Sequence, residues 1–160
     1  MSDISDIIWV CKAFHELTIP ELYRILKVRN EVFVVEQNCP YQDCDDKDFK
    51  AFHLIALRGA DIVAYSRLLP PGVSYEHAAS IGRVLTSGRA RHLGLGKELM
   101  QRSLNSVYKN FGSKEVVISA QTYLIPFYES FGFVKEGTIY QEDNIDHIRM
   151  RKPFSGMSSQ

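Results

Sequence analysis

Residues 80–101, SIGRVLTSGRARHLGLGKELMQ, constrain the fold of this 160-residue chain more than any other stretch. The run opens on Ile81 and Val84, β-branched and apolar as a buried strand requires. It closes on Met100, followed by Leu104, Val107 and Phe111 at i+4, i+7 and i+11, one face of a helix. Between them lies Arg91-His92-Leu93-Gly94-Leu95-Gly96-Lys97. A strand, a basic glycine turn and a helix in that order aim several backbone N–H groups and the positive helix end at one point. A phosphate fits there. Gly94 and Gly96 carry no Cβ to hold it off. Arg83, Arg89, Arg91, His92 and Lys97 all come before the first acid of the stretch, Glu98. The chain as a whole has 19 basic and 19 acidic side chains, so the cluster is local. A solvated, glycine-capped basic turn is the other reading of the same residues.

Two nucleotide loops fail here. A dinucleotide fingerprint needs a third glycine where Leu99 stands. A Walker A loop needs a hydroxyl after Gly96-Lys97, and Glu98 follows. The pattern that fits is an arginine or glutamine, a glycine three residues on and a glycine or alanine two further: Arg91, Gly94 and Gly96. It resembles the coenzyme A pyrophosphate loop of the GNAT superfamily of N-acetyltransferases.

The rest of the chain supplies a frame for this unit. Residues 7–14 read as a strand. Thr18 and Glu21 form a capping-box pattern that opens a helix through Leu22, Leu26, Arg29 and Phe33, with Ile25, Val28 and Val32 on the same stripe. Cys39-Pro40 ends it near Glu36. Residues 38–50 form an acidic loop carrying Asp43, Asp45, Asp46 and Asp48, either solvated or facing a substrate. Residues 52–58 and 62–69 make a hairpin around Arg58-Gly59-Ala60-Asp61. After the central unit, residues 116–120 form a short strand, which predicts a parallel pair. A short helix over 122–131 and two closing strands over 133–141 and 146–152 complete the chain. The fold class is α/β with a mixed sheet: six to seven mostly antiparallel strands, a central parallel pair and helices on both faces.

One hundred and sixty residues make a single domain, with its core over about 7–153 and loose tails at 1–6 and 155–160. Zero formal net charge argues against nucleic acid as a partner. No apolar run approaches the ~20 residues of a membrane span. Cys11, Cys39 and Cys44 fit a reducing cytoplasm better than a disulfide framework. Cys39 and Cys44 lack the second ligand pair of a zinc site, so no metal is expected.

A second motif extends the resemblance. GNAT domains carry a segment of the form N-x-x-A-x-x-h-Y-x-x-h-G-F, and Tyr128, Phe131, Gly132 and Phe133 match its spacing. Gln121 replaces the asparagine and Leu124 the alanine. Arg29-Asn30-Glu31, Glu36, Cys39-Pro40-Tyr41, His53, Gly82-Arg83-Val84 and Glu142-Asp143 with His147 are similar to the ElaA-like branch. The resemblance implies an acyl-CoA N-acyltransferase fold, acetyl-CoA as donor, and Tyr128 as the acid that protonates the leaving sulfur. It also implies coenzyme A contacts along Arg91, His92, Leu93, Gly94, Leu95, Gly96 and Lys97, with Gln121 on the pantetheine arm.

Acetyl transfer needs a neutral amine and a polarised thioester carbonyl. Backbone N–H groups at the splayed end of the central strand, over Val84, Leu85 and Thr86, suit the carbonyl. Glu36, His53, Glu142, Asp143 and His147 are candidates for the base; Glu36, ending a helix beside the sheet, is preferred. Arg29 and Arg83 sit in apolar segments, where they pair with acids or bind a substrate carboxylate. The arginines hint at an amino-acid-like acceptor and the acidic loop at a cationic amine. The reading is an N-acetyltransferase acting on a small-molecule or peptide amine, as monomer or homodimer. A non-catalytic acyl-CoA-binding or sensing domain is the alternative.

Overall fold

Local signals set the element boundaries. The structure, a computed structural model, describes residues 4–112 and 115–153; of the two tails, 1–3 and 155–160 lie outside them. β1 spans Ile8–Ala13 and α1 spans Ile19–Arg29. Thr18 caps α1 as its sequence predicts: Glu21 N–H donates to Thr18 Oγ1 at 3.2 Å and Thr18 N–H donates to Glu21 Oε1 at 2.8 Å. The helical path continues to Glu36, but over Asn30–Glu36 it is π-helical. Gln37 N–H reaches back to Val32 and Cys39 N–H to Val34, one residue further than an α-helix allows.

β2 (Phe52–Arg58) and β3 (Asp61–Leu69) form the expected hairpin, with Gly59 at φ +62° in its turn. β4 is Ser80–Thr86, α2 is Gly96–Phe111 and β5 is Val116–Gln121. After α3 (Ile125–Glu129), β6 (Val134–Glu142) and β7 (Ile145–Lys152) pair around Asp143 and Asn144. Both turn residues have positive φ, as a two-residue type I′ hairpin demands.

Among the described residues, seven strands form two antiparallel sheets, ordered β1-β2-β3-β4 and β5-β7-β6. The central parallel pair shrinks to one bridge, Ala79 with Val116. There Ala79 N–H donates to Glu115 O at 3.1 Å and Val117 N–H to Ala79 O at 2.9 Å. Beyond that bridge β4 and β5 part. The physical reason lies in β4: Tyr65 pairs with Leu85 and Arg67 with Gly82, so Arg83 and Val84 together oppose Ser66. This is a β-bulge, and a bulge bends its strand.

Strand alternation sends side chains to both faces. Ile55 and Tyr65 pack with Ile25, Val28 and Val32 on the α1 side, while Leu54, Ala56 and Ala64 pack with Leu95 and Leu99 on the α2 side. Met100, Leu104 and Val107 carry α2 over Ile118, Ile148 and Met150 of the second sheet. Each such fully buried side chain contributes about 1.5–3 kcal/mol. α2 therefore clamps both sheets and fixes the angle of their divergence.

Candidate active site

Where β4 and β5 diverge, a cleft of about 530 Å³ opens. Arg83 and Val84 of the bulge line one wall, and Gln121, Tyr128, Glu142, Asp143 and His147 line the other side. Arg83 holds φ +51°, a strained conformation for a non-glycine residue. Neither it nor Val84 has a residue paired opposite, so this stretch of backbone is free of the regular ladder. Tyr128 packs edge-on against Phe127 and Phe133 and belongs to the core, yet it also lines the cleft. Burial, helped by the nearby Tyr123, pushes its hydroxyl up to about 12. It is a proton donor throughout the physiological range.

The basic loop stands at the start of α2. Gly88–Leu93 is a short 3-10 turn, and Gly94 follows at φ +69° with open space where a Cβ would be. α2 has Leu95 as N-cap, which cannot cap, so no side chain satisfies its first N–H groups. Arg89, Arg91, His92 and Lys97 surround that end, all exposed. Gly96 lies 3.8 Å, measured from its ideal Cβ position, from the Phe127 ring, which ties the loop to the helix carrying Tyr128. Free amides, absent side-chain bulk and positive charge make a fitting cradle for a pyrophosphate. The side chains of Leu85 and Leu95 are core, and Leu93 packs beside them, so these three offer only backbone to a ligand.

Three expectations about polar residues are corrected. Most of the acidic loop is neither solvated nor open to a cationic substrate, because Asp43, Asp45 and Asp48 are matched to three arginines, while Asp46 is exposed. Arg29 Nε donates to Asp43 Oδ2 at 2.9 Å and its Nη1 to Asp48 Oδ1 at 2.7 Å. Arg67 Nη1 and Nη2 hold Asp45 at 2.7 and 3.0 Å, and Arg83 Nε holds Asp43 at 2.8 Å. Burial alone would raise the Asp48 carboxyl, but Arg29 and then Arg67 overcome it and hold it below the usual carboxylate range. The same balance takes Asp45 to about 2. Arg29 is fully buried, and its guanidinium is paired within this cluster and is absent from the cleft lining. Arg83 lines the cleft but its guanidinium is likewise paired.

His53 is the second correction. It is fully buried, donates from Nε2 to Asp48 O at 3.1 Å and accepts from Tyr65 Oη–H at 2.7 Å at Nδ1. Burial, with the charges of Arg29 and Arg67, lowers it and keeps it neutral. It is a structural link and faces no cleft. Glu36 is the third: it is absent from the cleft lining, and its carboxylate accepts from Arg91 Nη2 at 2.5 Å. The preferred base thus sits on the basic loop before α2.

Sequence reasoning missed Tyr41, Lys47, Arg67, Tyr75 and Ser119, all of which line the cleft. Arg67 carried a signal, a lone arginine inside an apolar strand, as Arg29 did. The other four sit in irregular segments or at a strand position that spacing alone does not mark.

The comparisons with known proteins agree with this geometry. The sequence matches the family profile of the acetyltransferase (GNAT) domain over residues 25–154. The chain belongs to the GNAT acetyltransferases. Within that family it is 40% identical to protein ElaA of Escherichia coli K12 over 139 residues, 86% of this chain and 90% of ElaA. The crystal structure of an acyl-CoA N-acyltransferase from Pseudomonas aeruginosa superposes at a TM-score of 0.87 with 44% identity, covering 91% of this chain and 99% of that one. E. coli ElaA superposes at 0.83 with 37% identity over the same shares. The GNAT fold is therefore shown, the ElaA-like branch is its place within it, and the chain is an N-acetyltransferase.

The two-sheet split is the GNAT feature with most bearing on chemistry here. It puts a strained backbone bulge and a buried tyrosine on one cleft, with the uncapped start of α2 packed against the tyrosine's helix at Phe127. Among the described residues no group of His, Cys, Asp and Glu is arranged to hold a metal ion, and the three cysteines are free.

Proposed function

We propose that the chain moves an acetyl group from acetyl-CoA to a primary amine held in the cleft between β4 and β5, by direct attack with both substrates bound. Tyr128 and the Val84 bulge line that cleft, and the uncapped start of α2 packs against the helix of Tyr128 through Phe127; together they carry this reading. When bound, acetyl-CoA supplies an activated acyl thioester. The first-turn amides of α2 and the Arg91 guanidinium hold its pyrophosphate. The Val84 N–H, outside the ladder, donates to the carbonyl oxygen as charge builds there, a contribution of about 3–4 kcal/mol for one such donor. Tyr128 Oη would give its proton to the departing sulfur as the C–S bond breaks; because the phenol is a weaker acid than a thiol of ordinary pKa ~8.5, its proton is replaced from the attacking nitrogen. Three free thiols fit a cytoplasmic setting. No helix among the described residues is long and apolar enough to cross a membrane.

The test is a panel of primary amines incubated with acetyl-CoA, read by free thiol release against a no-amine control and by mass spectrometry of the product. Amine-dependent release with an acetylated product supports the reading. Tight coenzyme A binding with no release for any amine would favour a binding domain instead.

A further inference from the structure

Among the described residues, the unmatched negative charge in the cleft lies at one place, the β6–β7 turn; the unmatched cation there is Lys47, whose Nζ donates to Ser74 Oγ at 2.9 Å. Arg67 and Arg83 face the cleft but are matched by Asp43, Asp45 and Asp48. Asp143, at the tip of the turn, has no ion pair among the described residues. Glu142 meets only Ser119 Oγ, at 3.0 Å, and His147.

His147 is 6% exposed and lines the cleft from β7. Its Nδ1 lies 2.8 Å from Ile145 O. A carbonyl only accepts, so Nδ1 carries a proton, and in the tautomer with that proton alone the lone pair is on Nε2. That Nε2 lies 3.7 Å from Glu142 Oε2, beyond hydrogen-bond distance. Two acceptors therefore face each other across a gap with no donor between them. A group with two or more N–H donors and a positive charge completes it. A primary ammonium has both.

We propose that Glu142 and His147 form the docking and deprotonation site for the acceptor, and that the acceptor is a primary amine arriving as its cation with no carboxylate beside the nitrogen. This rests on the acetyl-transfer reading. The ammonium donates one N–H to Glu142 Oε2 and one to His147 Nε2. The proton on the second passes to Nε2 and leaves to solvent, and the freed nitrogen lone pair makes the C–N bond as the C–S bond breaks. The nitrogen then sheds a further proton, which replaces the one Tyr128 gives to sulfur; one N–H remains in the amide. One proton per turnover is released.

The groups facing the His147 ring are Glu142 and Tyr140 of β6, the latter stacked at 6.2 Å, with Gln121 opposite it on β5. Asp143 lines the same cleft, and so does Tyr75, over whose ring the Arg149 guanidinium lies.

The experiment is nitrogen NMR of the imidazoles in the full chain with coenzyme A present at mildly alkaline pH, with His147→Gln to assign the signal. The proposal predicts a His147 ring protonated at Nδ1 alone. Adding n-butylammonium should shift its Nε2 signal saturably, whereas tetramethylammonium, which has no N–H, should not. In Glu142→Gln the butylammonium affinity should fall about tenfold or more, the scale of a charged hydrogen bond. A His147 protonated on both nitrogens before amine is added, no butylammonium response in wild type, or an equal response to tetramethylammonium would overturn it. Calorimetry of coenzyme A on the same samples separates the two ideas: lost coenzyme A binding would strike the acetyl-transfer reading, while retained binding without an amine response strikes this one alone.

Discussion

Tyr128, on the cleft, and Glu36, beside the basic loop, make opposite predictions on substitution. Tyr128→Phe keeps the ring that packs on Phe127 and Phe133 and removes only the proton donor. Steady-state kinetics should show turnover falling by about 10²–10⁴, the range for a general acid, while calorimetric coenzyme A affinity stays within a factor of two to three. Unchanged turnover would move the acid elsewhere. Glu36 occupies Arg91 through an exposed ion pair, worth about 0.2–1 kcal/mol. Glu36→Gln frees Arg91 and should tighten coenzyme A binding by a factor of about 1.4–5. It should leave turnover largely intact; a collapse of turnover would restore Glu36 as the base. Tyr128 was legible because its motif spacing marked it. Glu36 was misread because the π-helical stretch rotates the end of the helix, and an i to i−5 hydrogen bond leaves no trace in apolar spacing.

At the level of elements, the loop from Cys39 to Asp48 is held by charge. Asp48 contacts a fully buried Arg29, and removing one member of such a pair leaves an unmet buried charge. Asp48→Ala should cost about 3–5 kcal/mol in urea melts. Asp45 ionises near 2 in the fold against 3.8 ordinarily, and Asp48 is lowered as well. Depressed carboxyls stabilise fully above the ordinary value and lose that contribution as pH falls toward the folded one. His53, buried neutral and lowered, adds to the acid sensitivity: below its ordinary value near 6.5 the unfolded chain takes up a proton that the fold refuses. Hydrogen exchange or limited proteolysis should therefore find this loop opening between about pH 4 and 2 ahead of the sheets. Loss of protection first in the sheets would contradict the clip. The sequence shows the acids and the arginines but not their matching, because partners 14 to 40 residues apart meet only once the hairpin and β4 are in place.

The whole molecule is two sheets spread by one bulge and clamped by α2. Strand and helix identities were legible because alternation, capping and glycine turns are local signals. The split was not: it depends on Arg83 taking φ +51° inside a run that reads as an ordinary strand. A ligand that spans the gap between sheets should stabilise the molecule as a unit. Coenzyme A at about 100 times its dissociation constant adds about 2.7 kcal/mol, which for a chain of this size raises Tm by about 5–11 °C. The central claim is that the loop after β4 holds the coenzyme A pyrophosphate at the cleft. Calorimetric titration of coenzyme A into wild type and Arg91→Glu tests it most directly. The account predicts binding to wild type and an affinity at least about tenfold weaker in the variant, with the thermal midpoint in the absence of ligand lowered by about 4 °C at most, the scale of the lost Glu36 ion pair. Equal affinity in the two proteins would contradict it.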